Sequence, residues 1–532
     1  MQRQSPSIFN DIVGPIMIGP SSSHTCAPSR IGYLCRQLVG GNLKKVKIEF
    51  AREGAYTEMY QGQRSDMGFI NGFLGNRPED PRLRDAFSLA KESGIDITFE
   101  ISDFVPIKPN LSRITLFDDI NEVVEVYTDS TGGGTVKLLK INGFDVSITG
   151  DCFEVIIQSE EKDDNAQKLK ERCLSLVEDN EGFSLSTNDT GCLINIKSRF
   201  EISEIIIDQI RSFANVKSVH VVTPILVVTS NRNAILPFHS AEDLLQIAEK
   251  NNQELWELAI DYERIRSGWT TKEIKDYMRF VIETMESGVK EALKGDIKMN
   301  GVLKPTAGKI ENFIKHDHRV LDMGLLNDMV PWSMATMEYS SAMGVVLCAP
   351  TGGSAGVFPG AILAAANRMN LDMETKIKLM LTTAVIGIVM SKDHNYSAEL
   401  YGCQVEPGAA SAMAAGALVF LMGGTVKQSL MAASCAIQNI LGTICDPVAG
   451  LVQLPCISRN AMSVANSLVS ANMVMGGYDP LIPLDQAAET MFRVGMQLPS
   501  ELRCTCKGGL CTTPCGQQLA KEQEIRNQQR QI

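Results

Sequence analysis

The sequence predicts a multi-domain chain: an α/β domain over residues 1–150, a small βαββαβ unit over 151–228 and a large all-α domain over 238–532. Three observations lead there. At 532 residues the chain exceeds one ordinary domain and calls for about two to four. Short β-branched runs with alternating apolar residues fill its first part, whereas apolar residues recur near every 3.6 positions in its second. A hydrophobic fraction of 44% is ample for a large buried core.

The elements follow in order. LKKVKIEFA (43–51) and NEVVEVYT (121–128) read as strands by alternation and β-branched content. DPRLRDAFSLAKESG (80–94) reads as a helix with an Asp-Pro start and a Gly stop. STGGGTVKLLKINGFDVSITG (130–150) is a Gly-rich turn followed by two strands joined at Asn-Gly. In the second unit CFEVIIQ, FSLST, GCLINIKS and VKSVHVV read as strands, with helices over NAQKLKERCLSLVEDN and ISEIIIDQIRSF. From about residue 238 onward the pattern is helical, with Ser240 as N-cap ahead of Glu242 and Asp243. The polar tail AKEQEIRNQQRQI reads as a frayed terminal helix.

Charge and composition exclude some functions. There are 62 acidic against 50 basic residues, a net charge of -12, and no basic run. Such a chain is a poor ligand for nucleic acid or anionic membranes. Apolar stretches at 343–366, 377–390, 409–424 and 431–456 are short or broken by residues such as Asn367, Glu406, Gln438 and Asp446. A spanning helix wants about 20 continuous apolar residues, so none is expected to cross a membrane. The small-residue run AASAMAAGA suits closely packed helices instead. The start, MQRQSPSIFND, lacks the apolar segment of an export signal. A cytoplasmic location is therefore expected, with the 14 cysteines as reduced thiols.

Four constellations could carry chemistry. LYGCQVEPG, LGTICDP and LVQLPC place Cys403, Cys445 and Cys456 where the helical pattern breaks. Helix N-termini stabilise thiolates, and three thiolates without a fourth would leave one metal of a cluster open. Spacing alone leaves core packing equally available, because no C-x-x-C is present. GPSSSHT offers the hydroxyls of Ser21, Ser22, Ser23 and Thr25 to a carboxylate. His24 in the same turn suits an acid or base; a Ser-rich turn with a satisfied histidine is the alternative. APTGGSAGVFPG sets Thr351, Gly352, Gly353 and Ser354 in a loop whose amides can approach an anion. It lacks the Gly-Lys-Ser/Thr ending of a P-loop, and tight helix packing is its other reading. LRCTCKGGLCTTPCG carries Cys504, Cys506, Cys511 and Cys515 in a spacing that fits no common zinc pattern well.

Together these motifs resemble the iron–sulfur-dependent L-serine dehydratases over nearly the whole chain. GPSSSHT and STGGG are similar to the start and end of that family's β-part. The βαββαβ unit resembles an ACT domain, although SEEKDDNAQ lacks the Pro-Gly turn at which such domains often bind an effector. MATMEYSSAMGVVLCAPTGGSAGVFPG, YGCQVEPGAASAMAAGAL, GTICDPVAGLVQLPCISRNA and LPSELRCTCKGGLCTTPCG are similar to the α-part.

The resemblance implies that Cys403, Cys445 and Cys456 hold an oxygen-sensitive [4Fe–4S] cluster whose fourth iron is a Lewis acid toward the substrate hydroxyl. No pyridoxal phosphate would be needed, and the tail cysteines would not be ligands. The Ser21–Thr25 and Thr351–Ser354 groups would hold the carboxylate and ammonium of a small amino-acid substrate, with His24 as base. A homodimer is implied as well. Two positions depart from the family: Gln63 in GQRSD and Lys108 in KPNLS stand where histidines are usual. Gln cannot act as a base at neutral pH. Serine is thus the first substrate to consider; threonine, cysteine or a non-catalytic amino-acid-binding role are the rivals.

Overall fold

The computed structural model describes residues 5–120, 122–177, 180–391 and 394–530. Its strands are β1 (Ile16–Ile18), β2 (Leu43–Ala51), β3 (Asp96–Ser102), β4 (Leu111–Asp118), β5 (Val123–Gly132), β6 (Thr135–Ile141), β7 (Phe144–Ile148), β8 (Phe153–Ser159), β9 (Asn180–Asn188), β10 (Gly191–Ser198), β11 (Val216–Val222) and β12 (Val345–Leu347). The first large sheet runs β3-β2-β4-β5-β6-β7. Only β2 and β3 pair in parallel. β2 alternates as expected, sending Val46, Ile48 and Phe50 into a core shared with Ile31, Leu34, Phe69 and Phe73. Asn142 and Gly143 join β6 to β7 with φ of 50° and 81°, the left-handed pair a tight hairpin requires. Asp80 caps a short 3-10 turn, Pro81–Asp85, which runs into a helix over Ala86–Glu92. Gly94 then turns with φ of 67°.

Residues 153–222 form strand, helix, strand, strand, helix, strand, with β8, β9, β10 and β11 as the strands and Asp163–Leu174 and Glu204–Arg211 as the helices. The sheet order is β11-β8-β10-β9, antiparallel throughout. This is the topology its pattern predicts. Its own core joins Ile157, Ile194 and Ile196 to Leu169, Ile207 and Ile210.

The remaining part is helical. Ser240 accepts from the Asp243 amide at 3.0 Å and so caps Ala241–Asn251. A second helix, Leu255–Ser267, follows after Asn252 turns left-handed at φ 51°. Thr270 and Glu273 form a capping box for Thr271–Leu293. At the centre lies Pro407–Leu421, buried over nearly its whole length. Its small residues let neighbours approach closely: a Cβ on Gly416 would sit 2.3 Å from Ile386 Cδ1 and 2.9 Å from the Ser429 carbonyl. Among the described residues, no helix is long and apolar enough to cross a membrane.

The helical half is not purely α. β12 lies within it and pairs antiparallel with β1, Ile16 opposite Leu347 and Ile18 opposite Val345. A three-residue run, VVL, is too short to betray itself by periodicity. The chain's beginning also joins this half, for Ile8, Phe9, Ile12 and Val13 pack into its core. Glu263 anchors that segment by accepting from Ser7 Oγ at 2.9 Å and the Ile8 amide at 2.8 Å.

Candidate active site

The β1–β12 pair stitches together the two parts that build the site. The 19–25 loop is a buried, self-bonded turn. Ser21 Oγ accepts from the His24 amide at 3.1 Å, and Thr25 Oγ1 accepts from the Ser21 amide at 3.2 Å. Thr25 Oγ1 donates to the Gln63 carbonyl at 2.7 Å, which commits its proton to the scaffold. The Ser22 hydroxyl receives the Gly352 amide at 3.1 Å, so two of the sequence motifs meet directly. Thr351–Ser354 is a short 3-10 turn with its own capping box. Thr351 Oγ1 donates to Glu406 Oε1 at 2.7 Å, and a Cβ on Gly353 would come within 2.8 Å of that carboxylate. Gly353 is thus needed for close approach.

His24 is fully buried. Its Nδ1 lies 3.6 Å from Glu399 Oε1, its ring stands edge-on to Tyr56 at 5.1 Å, and its Nε2 has no hydrogen-bond partner among the described residues. Burial holds the imidazole pKa below its ordinary value, with Glu399 pulling the other way. The ring is therefore neutral and can accept a proton. Ser397 Oγ fixes Glu399 by donating to Oε2 at 2.7 Å. The Gly-rich turn packs on this segment, since a Cβ on Gly132, at φ 99°, would meet Ser397 Cβ at 2.6 Å. Nearby carboxyls are starved of water. Burial and Glu399 push Glu406 up to about 8, and burial, eased by Lys108, brings Asp129 to about 7. Such a group favours a cation, and an amino-acid ammonium supplies one.

Ligand atoms of Cys403, Glu406 and Cys445 lie within 4.8 Å of one another. Cys403 sits in the turn that leads into Pro407–Leu421. Cys456 is the first residue of the helix Cys456–Met475. It is outside that compact trio, but close enough for Cys403 and Glu406 to help burial raise its thiol pKa. A hydrogen bond with Cys445, together with burial, raises Cys403 as well. The thiols are thus held protonated, against the helix-terminus effect expected from sequence, and a bound cation would have to displace their protons. Arg459, one turn into the same helix, places Nη1 3.7 Å from Cys403 Sγ and Nη2 2.9 Å from Asp446 Oδ1. This guanidinium offsets negative charge on the thiols. A buried, thiol-rich donor set of this kind suits an iron–sulfur centre.

The structure also brings in Glu399, Glu406 and Arg459, which the sequence did not single out as site residues, and one tail cysteine that it did. Cys504 packs with Cys403, Cys445, Met59 and Ala398, held by hydrogen bonds from the Cys445 amide to the Leu502 carbonyl and from the Cys504 amide to the Cys445 carbonyl. Glu399 and Glu406 bracket Cys403 in sequence, and Arg459 follows Cys456 by one helical turn. Carboxylates and an arginine at such spacings around a suspected ligand are the signal that could have found them. Of the two departures, Gln63 is buried and donates from Nε2 to Met59 Sδ at 3.2 Å, beside Cys504. Lys108 is exposed and reaches the site only through its field on Asp129.

The model of the family "Serine dehydratase alpha chain" matches residues 241–511, just over half of the chain. The chain belongs to the serine dehydratase alpha-chain family. It is accordingly a lyase. The "Probable L-serine dehydratase, alpha chain" of Bacillus subtilis is 35% identical over 285 residues, covering 54% of this chain and 95% of the relative. The "L-serine dehydratase, alpha chain" of Peptoniphilus asaccharolyticus is also 35% identical, over 53% of this chain and 97% of the relative. The "Probable L-serine dehydratase, beta chain" of Bacillus subtilis is 37% identical over 156 residues, 29% of this chain and 69% of the relative. One polypeptide thus carries similarity to both chain types of a serine dehydratase.

Proposed function

We propose that the chain is an iron–sulfur-dependent L-serine ammonia-lyase, converting L-serine to pyruvate and ammonia without pyridoxal phosphate. The carrying observation is the Cys403–Glu406–Cys445 group, linked through Glu406 and Glu399 to a buried neutral His24, in a member of this family. Cys403, Cys445 and Cys456 would hold a [4Fe–4S] cluster. When bound, the cluster supplies a Lewis-acidic iron that makes the substrate hydroxyl a better leaving group.

The chain's own residues do the rest. Ser21, Ser22 and Ser23 with Thr351, Gly352, Gly353 and Ser354 hold the carboxylate end, and Thr25 shapes their loop. The carboxyls of Glu399, Glu406 and Asp129 receive the ammonium. His24 takes the Cα proton on Nε2, while Glu399 at Nδ1 orients the ring and stabilises the charge it gains. Departure of the hydroxyl leaves aminoacrylate, which tautomerises and hydrolyses to pyruvate and ammonia.

In this reading residues 1–150 and 238–532 build the site, and 151–228 is an ACT-like domain. The enzyme is a cytoplasmic homodimer that engages neither membrane nor nucleic acid. A second reading, a lyase for threonine or cysteine, is favoured by Gln63, which replaces a usual histidine with a non-basic amide beside the Cys504–Met59 wall. A non-catalytic regulator would have no use for the thiol group. Steady-state comparison of L-serine, L-threonine and L-cysteine decides: the highest kcat/KM for serine supports the first reading, and a clear preference for another amino acid replaces it.

A further inference from the structure

Four cysteines in the tail segment are absorbed neither by the cluster ligand set nor by the acid–base machinery, and two of them are paired. Cys506 Sγ and Cys511 Sγ donate to the same acceptor, the Pro447 carbonyl oxygen, at 3.4 and 3.3 Å. The two sulfurs are also within hydrogen-bond reach of each other, and with one proton apiece the pair makes at most two of these three contacts at once. Both line a surface cavity of about 500 Å³, with Glu58, Gln61 and Lys521 also on its wall. All the cysteines are free thiols in this structure. The two thiols are adjacent and both front this cavity, Cys506 half-buried and Cys511 buried beneath it, whereas most of the other cysteines are buried packing residues.

We propose that Cys506 and Cys511 are a redox-active dithiol, closed to an intrachain disulfide by exchange with a low-molecular-weight disulfide of the glutathione type. The pair shares a proton, so one thiol of the two is the attacking thiolate and its neighbour resolves the mixed disulfide. That thiolate displaces one glutathione thiolate and forms a mixed disulfide; the neighbouring thiol then attacks the protein sulfur of that bond and displaces the second. Two electrons pass from the dithiol to the glutathione disulfide, and the two protons leave on the glutathione thiols. Closure turns both sulfurs away from the Pro447 carbonyl. That carbonyl lies two residues beyond Cys445, and Cys506 lies two residues beyond Cys504, whose thiol packs on Cys445. The disulfide therefore reports redox state to the loop carrying a proposed cluster ligand.

The test treats anaerobic full-length protein with glutathione disulfide, blocks the remaining thiols and maps tryptic peptides, with iron content followed in parallel. Peptide 504–507 linked to 508–521, lighter by two hydrogens and released by dithiothreitol, is the expected result. Cys504→Ser and Cys515→Ser should keep the link; Cys506→Ser and Cys511→Ser should each lose it and trap glutathione on the thiol that remains. Separate alkylation of Cys506 and Cys511 under excess oxidant overturns the proposal. So does a link through Cys504 or Cys515, or stoichiometric zinc that blocks linkage. The peptide map is read independently of turnover, so its outcome is separable from that of the serine reading.

Discussion

His24 and Glu399 come from distant parts of the chain, yet Nδ1 of the one lies 3.6 Å from Oε1 of the other. The remaining ring nitrogen, Nε2, is buried without a hydrogen-bond partner among the described residues. One nitrogen is oriented and the other is left to the reactant. Replacing His24 by alanine should lower kcat by about 10²–10⁴-fold with little change in KM. Equal kcat in variant and parent would remove His24 as the base.

Burial lowers the His24 pKa from its ordinary 6.5. Its neutral, proton-accepting form therefore persists below pH 6.5 in the free protein, and the acid limb of the kcat/KM profile should have its midpoint below that value. The same shift makes folding lose stability as pH falls through 6.5, because the unfolded chain then binds the extra proton. An acid limb centred above 6.5 would contradict the burial argument.

Glu399 opposes that depression. Glu399→Gln keeps the shape but removes the charge, so the acid limb should move to still lower pH while kcat falls by about 10-fold or more. A purely structural role would lower the amount of folded protein and leave the midpoint in place.

Cys403→Ala, Cys445→Ala and Cys456→Ala should each lose the iron–sulfur absorbance and activity together, since each removes one thiolate of the proposed ligand set. A variant that keeps its full iron content strikes its residue from that set. Cys504→Ala should keep its iron; its loss would make Cys504 a ligand as well.

Gly416→Ala should lower Tm although alanine is the better helix former by about 1 kcal/mol. The new methyl meets the Ser429 carbonyl of a neighbouring helix at 2.9 Å, and a backbone atom cannot step aside. Overpacking of this kind costs about 1–3 kcal/mol, so a raised Tm would show that the helices there are free to part.

Most strands of the first two units were legible from β-branched, alternating runs; β2 and β10 fall on the residues their sequences indicate, β10 although buried along its whole length, while β3 and β4 were not read. Ser240 and the Asn142-Gly143 turn were legible because caps and hairpins need particular residues. β12 was not, for three residues carry no period and its partner lies over 300 residues away. The candidate site was legible in its motifs but not in its assembly. Ser22 and Gly352, His24 and Glu399, and Cys445 and Cys504 meet only through tertiary contacts. The carboxyls proposed to receive the ammonium, Glu399, Glu406 and Asp129, are likewise invisible until burial gathers them.

Pyruvate release from L-serine by anaerobically purified, iron–sulfide-reconstituted protein tests the central claim most directly. The account predicts rapid release that is lost on exposure to air. Protein that retains its cluster yet releases no pyruvate from serine would contradict it and turn attention to Gln63 and the wall formed by Met59 and Cys504.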